Sequence, residues 1–275
     1  MTRFFPSLLA ASLLLCVPAL AAESLPKADE VLKKVIERAR WEKQHREDDR
    51  WAGTQRSIQQ KLNKEGAVEE SNERHYEPVL IQGKVYSRLV ARNGKPLTGD
   101  DLKKEAQREK KFRESLAKPK KPAKDDDDDD VELNEELVAR YIFTVIAEEP
   151  VATRRAFVLT FLPRPGAKLT EKRRMDKVLN RLEGKVWIDA ATYALVKVDM
   201  HLTEPTTLMG GLGSVRSLDF LLEMMPLASD PGTPVFLPRQ LEISFEGRQL
   251  FKGMRVKQKA HFTDYRRVSE LAEAK

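Results

Sequence analysis

The 275-residue chain carries 49 Lys and Arg against 43 Asp and Glu, a formal charge of +6, and a single cysteine. Its length suits one large β domain or two small ones. A lone cysteine excludes an internal disulfide and a multi-thiolate metal site, so stability must come from a packed core.

Residues 1–21 read as a secretory signal peptide. Arg3 supplies the positive start, Leu8 to Val17 the apolar run, and Ala19-Leu20-Ala21 the small-x-small cleavage pattern. The run is shorter than the about 20 apolar residues a permanent span needs. Cleavage after Ala21 is therefore expected, against the alternative of a retained anchor. Cys16 leaves with the signal, and bulky Leu15 precedes it where a lipid-attachment cysteine takes a small residue. The mature chain is expected to be unlipidated and free of thiols. Loss of Arg3, the only charge in the segment, lowers +6 to +5. Nucleic acid is not an expected partner of an exported chain. The surplus charge points instead to an anionic membrane surface or acidic polymers, with a lysine-rich soluble surface as the plain alternative.

Ser24 and Pro26 open a helix with Asp29 and Glu30 in its first turn. Val31, Leu32, Val35, Ile36 and Ala39 give it one apolar face, and the pattern fades by Glu42. From Trp51 strands and turns take over, with hairpin loops at Asn63-Lys64-Glu65-Gly66, Gln82-Gly83-Lys84 and Asn93-Gly94. Thr98 and Asp101 mark a second helix to about Leu116, a charged surface element with only Leu102, Ala106, Phe112 and Leu116 to pack. Lys118 to Lys124, with two prolines, and the aspartates Asp125–Asp130 then read as a disordered linker. A calcium loop would space its acids and include a bending glycine. Residues 22–275 thus form one β domain with a charged helical and disordered insert at about 97–131.

Beyond Leu133 the chain is mostly sheet. Arg140 to Ala147 and Ala156 to Leu162 are strands. Thr170 caps a short helix carrying Met175, Val178, Leu179 and Leu182 on one face, and Gly184 ends it. Val196, Val198, Met200 and Leu202 alternate with polar residues, as do Leu241, Ile243 and Phe245, and then Met254, Val256, Ala260 and Phe262. Period-two alternation predicts a sheet with one buried and one wet face, antiparallel because turn signals join neighbours.

No constellation points to catalysis, and no enzyme activity, metal or cofactor is expected. His45, His75, His201 and His261 are scattered without metal spacing. Asp189 reads as a turn-forming residue. Met209-Gly210-Gly211-Leu212-Gly213 lacks the strand-to-helix setting and lysine of a phosphate cradle, and reads as a flexible connection or lid. Two features exceed plain folding. Leu218, Phe220, Leu221, Leu222, Met224, Met225 and Leu227 offer either a central strand buried on both sides or an adaptable apolar surface. Arg255, Lys257 and Lys259 form a basic row on a wet face, facing a membrane or only solvent.

The order of elements, the strand Gly184-Lys185-Val186-Trp187-Ile188-Asp189 followed by Ala194-Leu195-Val196-Lys197-Val198, Leu237-Pro238 and the closing Phe262-Thr263-Asp264-Tyr265-Arg266 resemble the LolA/LolB-like periplasmic lipoprotein-carrier superfamily. The resemblance covers roughly residues 25–95 and 135–268. It implies an α+β fold, a curved antiparallel sheet forming an unclosed half-barrel with a few helices on its concave side, which holds acyl chains. Arg154 and Arg155 are candidates for that family's lid-holding arginine in name only, and the charged insert departs from its pattern. The expected function is non-enzymatic binding or carriage of a lipid, acyl chain or lipoprotein by a monomer. Phe143, Val198, Met200, Phe220, Leu222, Ile243 and Phe245 would line the site. The alternative is an interaction module that docks an envelope protein through sheet edges or the insert.

Overall fold

A computed structural model describes residues 24–117, 133–166, 171, 175–208, 213–228, 233–249 and 252–274. The expected signal peptide, the aspartate run, the Thr170 cap and Met209 to Leu212 lie outside the described residues.

The first helix, α1 (Ala28–His45), buries Val31, Leu32, Val35 and Ile36, the face its 3.6-residue period requires. Asp29 and Glu30 sit at its N-terminal turn and Lys43 and His45 in its last, matching the helix dipole at both ends. Four antiparallel strands follow: β1 (Trp51–Leu62), β2 (Val68–Ile81), β3 (Lys84–Arg92) and the short β4 (Lys95–Pro96). Two of the three turns between them are built alike. Gln82 and Gly83 have φ of 51° and 70°, and Asn93 and Gly94 have 50° and 72°. Paired positive φ is the hairpin turn whose twist matches its strands.

The helix α2 (Gly99–Ala117) lies against β3 in a way its sequence does not announce. Leu102 is 56 % exposed, Ala106 is exposed, and the buried residue is Glu105. Its Oε1 accepts from the Tyr86 hydroxyl at 2.9 Å, the Leu89 amide at 3.1 Å and Arg108 Nη2 at 2.8 Å. Burial opposes its charge, but these donors outweigh burial and hold the carboxyl below the usual range.

After α3 (Glu135–Ala139), capped by the Asn134 side chain, come β5 (Tyr141–Val151) and β6 (Arg154–Pro163). The short α4 (Asp176–Leu179) precedes β7 (Leu182–Asp189), β8 (Leu195–Leu202), β9 (Thr206–Leu208) and three long strands, β10 (Gly213–Leu227), β11 (Val235–Gln249) and β12 (Lys252–Arg267). Here one expectation is corrected. Leu182 and Gly184 do not close the short helix; both stand inside β7. A Cβ on Gly184 would sit 2.1 Å from the Asp199 carbonyl oxygen, so this glycine permits close approach of β8 rather than capping a helix.

All twelve strands join one sheet in the order β4-β3-β2-β1-β12-β11-β10-β8-β7-β6-β5, with β9 beside β10. The named pairings are antiparallel, and the end strands β4 and β5 do not pair with each other. The fold is α+β, an unclosed antiparallel sheet with helices packed on it. Val31, Leu32 and Val35 of α1 meet Leu159 and Ile188 of the sheet, and a second cluster gathers Tyr141, Phe161, Leu179 and Leu182.

Candidate ligand cavity

Antiparallel register aligns side chains across the sheet into rows. One row runs Val145, Leu159, Val186, Val198, Leu222, Leu241, Ala260, Ser57, Arg74 and Arg92, from β5 to β3. The next row on the same face runs Phe143, Phe161, Gly184, Met200, Phe220, Ile243, Gln258, Gln59 and Asn72. Both rows are apolar over β5 to β11 and turn polar near β12 and β1. The apolar end is where α1 and α3 lie.

Between those helices and the sheet is a cavity of about 310 Å³. Leu32 and Val35 of α1 and Leu137 and Val138 of α3 roof it, and Phe161, Leu182, Val186 and Ile188 form part of its floor. Phe143, Val198, Met200 and Phe220 line it as well. Among the described residues that line it, the one polar side-chain group is the Tyr141 hydroxyl, which donates to the Leu179 carbonyl. Burial pushes the Tyr141 phenol up to about 12, so it stays neutral at physiological pH. Such a wall can shelter an apolar chain, and among the described residues it presents no charged side chain.

Three nominated residues fall outside the wall. Leu222 and Ile243 occupy the same rows, but half-buried and away from the helical roof. Phe245 packs on the cluster that includes the wall residues Tyr141, Phe161 and Leu182 but does not itself line the cavity. All seven share a face, as alternation requires; the position of the roof, which alternation cannot give, separates four from three. The run in β10 also departs from a strand buried on both sides: Phe220 to Leu227 are all only half-buried, so neither face of this central strand is closed.

The candidate lid arginines do not reach the cavity. Arg154 pairs with Asp189, and Arg155 with Glu148 on the surface. Asp189 is the expected turn residue: its Oδ1 accepts from the Thr192 amide at 2.8 Å and hydroxyl at 2.7 Å. Sequence reading missed a buried ion pair at the cavity's edge, Arg140 with Asp176 at 3.2 Å, each side chain at most 3 % exposed. Arg140 also donates to Asn180 at 3.0 Å and Glu136 at 3.2 Å, tying β5 to α4. The basic row is largely neutralised, since Arg255 meets Glu246 and Lys259 meets Glu242.

No protein-family model and no curated protein matches the chain. Solved structures do. A domain described as an outer-membrane lipoprotein-sorting protein from Vibrio parahaemolyticus is similar at 14 % identity and TM-score 0.35, covering 88 % of this chain and 95 % of that one. A LolA superfamily protein from Nitrosomonas europaea gives 9 % and 0.29 over 91 % and 96 % of the two chains. The MucA/MucB complex of Pseudomonas aeruginosa gives 12 % and 0.24 over 90 % and 99 %.

Proposed function

We propose that this protein is a non-enzymatic periplasmic carrier or sensor, exported through residues 1–21, that shelters an acyl chain of a lipid or lipoprotein under α1 and α3. The apolar cavity, whose Tyr141 hydroxyl is already satisfied, carries this reading. Each methylene moved there from water contributes about 0.8 kcal/mol, and a largely pre-formed hollow lowers the ordering cost. Native mass spectrometry of protein purified gently from the periplasm tests it. Adducts of acyl-chain mass, restored by adding lipid to stripped protein, support the carrier. A bare chain that takes up no lipid on titration contradicts it.

A second reading rests on the β5 edge. Ile142, Ile146 and Leu162 are 37 %, 45 % and 42 % exposed, and Ile142 stands opposite Leu162. An exposed apolar edge suits strand addition by an envelope protein. Charging it with Ile146→Lys should abolish protein capture under this reading and leave lipid uptake unchanged under the first.

A further inference from the structure

The face opposite the cavity holds a recess of about 370 Å³ spanning β2, β1 and β12. Register sets His75, Arg56 and His261 side by side across those strands, and Arg266, Thr54 and Thr263 complete one side of the recess. A bulge builds it. Pairing shifts between Ala52 and Thr54, so that Arg266 pairs Ala52 while Thr263 pairs Thr54, and Asp264 takes φ 50°. Gly53 is required opposite the bulge, because a Cβ there would meet the Tyr265 ring at 2.8 Å. Bulges of this kind re-aim side chains beside functional sites.

Several other cations on the sheet are engaged. Lys197 and Arg239 share Glu223, Arg255 and Arg216 share Glu246, Lys259 holds Glu242, and His201 meets Glu183. Arg56, Arg266, His75 and His261 form no such pair among the described residues, although Glu77 and Asp264 border the same recess. Asp264 instead accepts from the Thr263 hydroxyl at 2.8 Å. On the neighbouring strand, Gln240, opposite His261, is turned to Glu242. The two arginines and the two bordering carboxylates balance in formal charge.

We infer that this recess is an anion site for a phosphodiester, on the face away from the acyl cavity and independent of it. Two guanidinium forks and the Thr54 hydroxyl can donate to a phosphate's oxygens. The bordering carboxylates fit a monoanion better than a dianion.

Two probes separate the sources of that group: soluble dimethyl phosphate by calorimetry, and phosphatidylglycerol vesicles against phosphatidylcholine vesicles by sedimentation. At pH 6, Arg56→Gln and Arg266→Gln should each weaken binding on the order of tenfold, while Lys259→Gln, whose lysine is already paired, should not. Binding to vesicles alone assigns a lipid headgroup, and binding of the soluble probe assigns a free diester. No binding of either probe at pH 6, or equal binding by Arg56→Gln and Lys259→Gln with unchanged melting temperatures, overturns the site.

Discussion

Arg154 grips Asp189 with both arms of its guanidinium, Nε to Oδ2 at 2.5 Å and Nη2 to Oδ1 at 2.8 Å. The same carboxylate organises the turn through Thr192, so one side chain fastens the start of β6 to the end of β7. These two strands carry Phe161 and Val186, both in the cavity wall.

Arg154→Ala should therefore destabilise the fold. Removing one partner of a buried ion pair costs about 3–5 kcal/mol. Here Arg154 is 30 % exposed and Thr192 still donates, so a loss of about 2 kcal/mol is expected. Urea unfolding measures it; a midpoint equal to wild type would mean the pair is inconsequential.

The same site sets an acid dependence. Burial works against the Asp189 charge, but Arg154 and Thr192 outweigh burial and hold its carboxyl below the usual range. The folded chain then takes up this proton less readily than the unfolded chain, whose aspartates titrate near about 3.9. Stability from Asp189 is present above that value and lost as pH falls through the lower folded one. Asp189→Asn should flatten the decline of stability below about pH 4.

At the alkaline end the sign reverses. Tyr141 and Tyr265 are raised by burial to about 12, so their contribution is complete below the ordinary phenol value near about 10. It is lost as pH climbs toward 12. Tyr141→Phe should lower stability by about 1 kcal/mol through the lost bond to Leu179 and reduce the alkaline decline, leaving lipid uptake intact.

Gly184→Ala should be among the most damaging single-methyl additions. The new Cβ would fall 2.1 Å from the Asp199 carbonyl and 2.7 Å from Met200 Cα, both backbone atoms with little freedom to yield. About 3 kcal/mol is expected. Gly66→Ala meets nothing within 4 Å and bears only the strain of φ 84°, about 1 kcal/mol.

Local chemistry made much of this molecule readable. The face of α1 follows from five apolar residues at helical spacing, and the turns at Gln82-Gly83 and Asn93-Gly94 from glycines that accept positive φ. Alternation in β8 and β11 placed Val198, Met200 and Ile243 on one face. What resisted reading was long-range. Gly184 looks like a helix stop until β8 is laid beside it. Glu105 looks solvated within a charged helix until Tyr86 and Leu89 supply its donors. Arg140 and Asp176, or His75 and His261, become neighbours only through register and packing. The cavity depends on where α1 and α3 come to rest, so it separated Phe220 from Ile243, adjacent in one row.

That adjacency supplies the sharpest test of the acyl-chain cavity: titration of a fluorescent fatty acid into wild type, Met200→Trp and Ile243→Trp at matched stability. Filling the hollow at Met200 should weaken binding by at least about tenfold, or ~1.4 kcal/mol, while the indole at Ile243, outside the wall, should leave it within about twofold. Equal affinities for all three proteins, or no saturable uptake by wild type, would contradict the account.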